Sequence, residues 1–185
     1  MPAIMTSIQS CDPPEGALLH KYLHGGAYAD CYVTELAKPV SQSEYVEAFY
    51  TTIVFKVERF LLKWLVSRPS TDMQARLLAS GALNSFAAWS VEGRGPNQLL
   101  LSDFTGRTRS WLMIAPVGSS GRSASTRLYF GSAVVPVMDA KSGKASLGFM
   151  FRCLLGFHKQ YSRILLLAAR SRLARQDSGS REPLC

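Results

Sequence analysis

The sequence predicts an α+β domain in which helical stretches bracket a run of antiparallel strands. Apolar residues recur at steps of three and four from Val46 to Trp64 and again from Leu147 to Ala168, the spacing of one helix face. Between about 86 and 137 the period shortens to that of strands, rich in aromatic and β-branched residues and punctuated by Gly and Pro turns. Consecutive strands joined by short turns pair antiparallel.

The elements follow in order. Residues 1–27, rich at their start in Pro, Ser and Asp, read as a poorly ordered lead-in. Ala29 to Leu36 is a short first strand, ended by Pro39. Ser41 stands three residues before Glu44, the capping-box spacing, and predicts a helix over 42–66 through Val46, Phe49, Ile53, Val57, Phe60, Leu61 and Trp64. Arg68-Pro69-Ser70 breaks it. A shorter helix through Met73, Leu77 and Leu78 stops at Gly81. Strands are expected over 86–94, 98–104, 107–117 and 126–137, with a tight Thr105-Gly106 hairpin and loops at 118–125 and 138–144. A single helix over 147–175 closes the domain, with Leu147, Phe151, Leu154, His158, Tyr161, Leu165 and Ala168 on one stripe and Arg163, Arg170 and Arg175 off it. Residues 28–175 form the domain, and 176–185 form a flexible tail.

A chain of 185 residues with 47% hydrophobic and 18% charged residues fits one domain with a sizeable apolar interior. The net charge is +8, but the basic residues are dispersed and form no run of five like charges. That argues against a specific nucleic-acid partner. Phe49 to Val66 is the nearest approach to a spanning segment, and Lys56, Glu58, Arg59 and Lys63 interrupt it, so no transmembrane segment is expected. Cys11, Cys31, Cys153 and Cys185 form no C-x-x-C pair and no zinc spacing. Free thiols, a reducing cytoplasm, no metal and no cofactor are the expectation.

The element order, together with the strings Phe49-Tyr50-Thr51-Thr52, Ala87-Ala88-Trp89, Gly106 to Leu112, Phe130-Gly131-Ser132-Ala133 and Phe157 to Ser162, resembles the START-like (SRPBCC, helix-grip) superfamily and its uncharacterised bacterial members. The resemblance covers residues 28–174. It implies a curved antiparallel sheet wrapped around the long C-terminal helix, two shorter helices after the first strand, and a cavity for an apolar ligand between sheet and helix. Five strands are read where six or seven are usual in that superfamily, which leaves room for one or two short strands within 1–26 or the loops.

Several residues are candidates for chemistry. His158 and Tyr161 fall on the stripe that should face the sheet, where a histidine serves as acid, base or ligand anchor. The competing reading is a half-buried histidine bonded to a backbone carbonyl. Arg107, Arg109 and Trp111 share one face of a strand beside Asp103 across the hairpin, an arrangement that suits a carboxylate or a ring. A cross-strand ion pair of Asp103 with Arg107 or Arg109 is the structural alternative. Trp89, Phe86, Tyr129 and Phe130 read as core aromatics that also suit a cavity wall. Glu92, Arg94, Asp30 and Glu35 show no catalytic carboxylate pair. His20-x-x-x-His24 lacks a third metal ligand, and Gly93-Arg94-Gly95 is not a phosphate loop.

The expected function is binding of a small hydrophobic or aromatic molecule by His158, Tyr161, Arg109, Trp111, Asp103, Trp89 and Leu154. The alternatives are an enzyme of cyclase, dehydratase or hydrolase type in the same cavity, and an interaction protein using the basic C-terminal helix. The oligomeric state is open, a homodimer included.

Overall fold

The computed structural model describes residues 7–23, 27–66, 69–118, 124–138, 145–146 and 149–176, without the side chains of 58, 61–66, 137–138, 145–146 and 149–157. Among these residues the elements are β1 (Gln9–Ser10), a 3-10 turn (Leu18–Tyr22), β2 (Tyr28–Leu36), α1 (Gln42–Tyr50), α2 (Ile53–Val66), α3 (Asp72–Ser80), β3 (Ser85–Phe86), β4 (Trp89–Gly95), β5 (Gln98–Asp103), β6 (Thr108–Val117), β7 (Ser125–Val134), β8 (Val137–Met138), β9 (Ala145–Ser146) and α4 (Phe149–Gln176). The class is α+β. Seven strands form one antiparallel sheet in the order β1-β2-β7-β6-β5-β4-β3. A separate two-strand ladder joins β8 and β9.

Strand alternation sends even-numbered residues of β2, β6 and β7 to one face of the sheet and odd-numbered residues to the other. Tyr32, Leu36, Leu112, Leu128 and Phe130 form one core with Tyr45, Val46, Phe49 and Tyr50 of α1 and Leu165, Leu166, Ala169 and Leu173 of α4. α4 packs on β2 and β7, and α1 packs on α4, α3 and β6. The 28 residues of α4 give a rod of about 42 Å, enough to cross the sheet.

The capping box expected at Ser41 forms, and a second one closes the start of α3. Ser41 accepts from the Glu44 amide while the Glu44 carboxylate takes the Ser41 amide, and Thr71 and Gln74 do the same for α3. Gly81 closes α3 with φ of 84°, a left-handed value suited to glycine.

The expected helix over 42–66 is two helices. Thr51 Oγ1 donates to Glu47 O (2.7 Å) and Thr52 Oγ1 to Phe49 O (3.0 Å), while Thr52 Oγ1 accepts from the Phe55 amide (3.2 Å). The threonines end one ladder and cap the next. The break reorients the apolar stripe. Phe55 enters the core at 2% exposure, while Ile53, Val57 and Phe60, expected on the buried side, are exposed. Arg59 then anchors the chain entering α3, through Ser70 O (2.5 Å), Ser70 Oγ (2.9 Å) and Asp72 Oδ1 (2.6 Å).

The lead-in expectation for 1–27 is corrected within 7–23. β1 adds a strand at the sheet edge, and the 3-10 turn covers the outer face. Leu19 is fully buried there with Ala17, Cys31, Val33, Leu100, Trp111 and Met113. Gln98 fixes this segment: its Oε1 accepts from Leu18 N (2.9 Å) and Trp111 Nε1 (3.0 Å), and its Nε2 donates to Gly16 O (3.1 Å). Gly131 lies beneath Leu19, and a Cβ there would stand 2.6 Å from Leu19 Cδ2 and 3.0 Å from Trp111 Cε3. The sheet therefore has two covered faces, which is why β7 is buried at nearly every position.

Smaller differences follow from turn chemistry. The strand expected at 86–94 is a short hairpin of β3 and β4 across Ala87-Ala88, with Ala87 at φ of 53°. The Thr105-Gly106 hairpin is a four-residue connection from Asp103 to Thr108. Two basic residues of α4 are committed to the fold: Arg170 Nε donates to Glu35 O (3.0 Å) and Arg163 sits over the Tyr32 ring (5.3 Å). Leu147 and residues 177–185 lie outside the described residues, as do the side chains of Phe151 and Leu154. No described helix is long and apolar enough to cross a membrane.

Leu19→Ala is expected to lower stability by about 2–5 kcal/mol and Gly131→Ala by about 1–3 kcal/mol, measured by urea unfolding. Values within about 0.5 kcal/mol of wild type would mean that the N-terminal segment does not plug this face.

Candidate functional site

The β2–β7 and β6–β7 registers place Asp30 opposite Ser132 and Ser132 opposite Ser110. All three are even-numbered and lie on the helix-covered face. They make one polar row across three strands. Ser132 Oγ lies 2.6 Å from Asp30 Oδ1 and 2.7 Å from His158 Nε2, which α4 brings onto the row. Ser110 Oγ meets Tyr50 OH at 3.2 Å. Tyr28 and Tyr32, two residues either side of Asp30, donate to Asp30 Oδ2 at 3.3 and 3.5 Å. Burial first, and then the Asp30 charge, hold both tyrosine hydroxyls above their ordinary value, so they remain donors.

The direction of these bonds constrains the chemistry. A serine hydroxyl has one proton, and a carboxylate only accepts. Ser132 therefore gives its proton to Asp30 and accepts from His158 Nε2–H. Hydrolytic triads need the reverse, with the histidine accepting the serine proton. Ser132 is a relay between His158 and Asp30 rather than an activated nucleophile. His158 Nε2 is itself 3.9 Å from Asp30 Oδ2, within ion-pair range when the ring is protonated.

Beside the row lies a cavity of about 190 Å³, bordered by Phe49, Phe55, Trp89, Thr108, Arg109, Ser110, Phe130, Ser132, His158, Tyr161, Ser162 and Leu165. Aromatic rings of α1, α2, β4 and β7 form much of its wall, and the polar row borders it. Trp89 Nε1 is buried and has no hydrogen-bond partner among the described residues. An unpaired buried N–H costs about 1–3 kcal/mol.

Of the residues expected to hold a ligand, His158, Tyr161 and Trp89 border this cavity together. The Leu154 side chain lies outside the described residues. Arg109 borders the cavity, but it is odd-numbered, and its guanidinium is engaged on the outer face. There Arg109 Nε meets Tyr22 OH (2.8 Å) and Glu92 Oε2 (2.5 Å), with the Tyr22 ring 4.9 Å from the guanidinium carbon. Trp111 is fully buried in the outer core. Asp103 caps the hairpin, its Oδ1 accepting from the Arg107 and Thr108 amides (2.8 and 3.0 Å) and its Oδ2 from Thr105 Oγ1 (2.6 Å). Arg109, Trp111 and Asp103 therefore form no common site. Arg109 pairs with Glu92, not with Asp103.

His20 is also assigned: its Nε2 lies against Pro13 O (3.1 Å) and Pro14 O (2.9 Å), and His24 lies outside the described residues. Among the described residues no cluster of three or more His, Cys, Asp or Glu is placed to hold a metal ion. Sequence reasoning missed Ser132, Ser110, Ser162 and the partnership of Asp30. The available signal for the strand residues was parity, since Asp30, Ser110 and Ser132 fall at inward positions. Register, which a single sequence does not reveal, was needed to align them.

Comparison with family models, curated proteins and solved structures gives no match to this chain.

Glu92 also receives Lys21 and Tyr22. Burial pushes its carboxyl up, but the bonds from Lys21 and Tyr22 and the Arg109 charge outweigh that and hold it below its ordinary value. A depressed carboxyl stabilises the fold above its unfolded pKa, and that contribution is lost as pH falls through its folded value. Glu92→Gln is therefore expected to be less stable than wild type at pH 7. The difference should shrink as pH falls below the ordinary carboxylate range, read by thermal unfolding across pH; a pH-independent difference would count against the cluster.

Proposed function

We propose that the protein binds a small aromatic or similarly compact apolar molecule carrying one hydrogen-bonding group, in the cavity between the sheet and α4. The cavity beside the Asp30–Ser132–His158 row carries this reading. Its size selects the ligand class. A 190 Å³ space is smaller than the roughly 300–1,000 Å³ of drug-sized sites, and close to cavities of about 150 Å³ that take benzene. A single ring fits and a long acyl chain does not. The unpaired Trp89 N–H favours a ligand with an acceptor oxygen. The element order, with helices after β2 and α4 across β2 and β7, supports reading the fold as the START-like helix-grip arrangement.

Phenol is the probe, toluene its apolar control and palmitate its size control. Phenol at ten times its Kd should stabilise the protein by about 1.4 kcal/mol, a rise in Tm of roughly 3–5 °C; palmitate should give none. Trp89→Phe should weaken phenol about 3- to 10-fold and leave toluene unchanged. No saturable stabilisation by any single-ring compound would overturn the proposal.

A second reading, an acid–base enzyme using the same cavity, draws on the His158–Ser132–Asp30 relay. The relay suits a histidine that lends and recovers a proton at a bound ring or carbonyl compound. An activity found in this cavity that survives His158→Gln at full rate would sink it.

A further inference from the structure

Independently of the cavity, we propose that Cys11 and Cys31 are an oxidisable dithiol, which peroxide converts to a disulfide tying the N-terminal segment to β2. The sequence shows no sign of this, because the two residues stand far apart and outside any C-x-x-C spacing. Strand register brings them together. Gln9 pairs with Val33 and Ser10 with Tyr32, so the next position sets Cys11 opposite Cys31, and the Cys11 amide donates to Cys31 O at 3.0 Å. Directly opposed, hydrogen-bonded antiparallel residues have Cα atoms about 5.5 Å apart, within the roughly 4.4–6.8 Å that a disulfide spans. The two sulfurs are 3.4 Å apart, and both thiols are free.

The surroundings assign the two roles. Cys11 is half-buried and Cys31 is 2% exposed. Both border a pocket of about 300 Å³ that also includes Lys159 and Arg163 in its wall, which gives a small oxidant a route to Cys11. The hydrogen bond with Cys31 lowers the Cys11 thiol below its ordinary value, against burial and the Asp12 charge. The same bond, and then burial, push the Cys31 thiol up. Cys11 is the attacking thiolate and Cys31 the resolving thiol.

The chemistry closes with hydrogen peroxide as oxidant. The Cys11 thiolate attacks one peroxide oxygen, the O–O bond breaks, hydroxide leaves, and Cys11 becomes a sulfenic acid. The Cys31 sulfur then attacks the Cys11 sulfur. The S–S bond forms, the S–O bond breaks, and the departing hydroxide takes the Cys31 proton as water. The two thiols are oxidised by two electrons, and the peroxide is reduced. The product closes the loop between Cys11 and Cys31, which carries the 3-10 turn that covers the outer face, so it should resist thermal unfolding.

Hydrogen peroxide added to the full chain should lower the intact mass by about 2 Da, with peptide mapping joining Cys11 to Cys31, and raise Tm by roughly 5 °C in a dithiothreitol-reversible way. Cys31→Ser should stop at a sulfenic acid on Cys11 that dimedone traps, and Cys11→Ser should leave Cys31 unmodified. A linkage that uses Cys153 or Cys185 instead, irreversible oxidation of Cys11 without a disulfide, or both thiols still alkylated after denaturation would each overturn the proposal.

Discussion

The fold depends on β7 pairing with β2. The two strands are about a hundred residues apart in the chain, yet they pair from Tyr28↔Val134 to Leu36↔Thr126. β7 pairs with β6 along its other edge, from Thr108↔Val134 to Val117↔Ser125. A strand hydrogen-bonded on both edges and buried on both faces has little freedom in register, because a one-residue slip would send each side chain to the opposite core. Gly131 records the constraint on the outer side, where Leu19 and Trp111 occupy the space a Cβ would take.

That register also creates the site. Because Asp30 falls opposite Ser132, a carboxylate that would be costly alone beneath a helix receives a serine and two tyrosine donors. α4 then delivers His158 to Ser132. Sheet pairing fixes the row and helix packing fixes the histidine, so the relay exists only when both are in place. The direction of its bonds makes it a means of holding or moving a proton rather than of activating a serine.

The opposite face carries a separate polar system. Tyr22 and Lys21 of the 3-10 turn meet Glu92 of β4 and Arg109 of β6, and Gln98 fixes the segment just before the turn. These bonds and the Leu19 plug close an outer face that would otherwise expose Trp111, Met113 and Val33. Cys11 and Cys31 lie where this segment joins the sheet. Oxidation there would act on the attachment of the segment and leave the relay's own atoms in place.

The sequence by itself determined the class and most of the elements. The capping box at Ser41, the glycine stop at Gly81 and the two-residue alternation of the later strands are local signals, and each appears as a local structure. His158 and Tyr161 were also legible, because helical periodicity places them on the stripe that faces the sheet, and Trp89 was legible as a core aromatic. Tertiary structure decided what periodicity cannot encode. It set which face of β6 meets the helices, which sent Arg109 and Trp111 away from the cavity, and it reoriented α2 after the Thr51–Thr52 break. It also turned a Pro-rich lead-in into the cover of a second face. Finally, it set Asp30 against Ser132 and Cys11 against Cys31, pairs separated by long stretches of chain. Those pairings depend on strand register, and register is a property of the packed sheet as a whole.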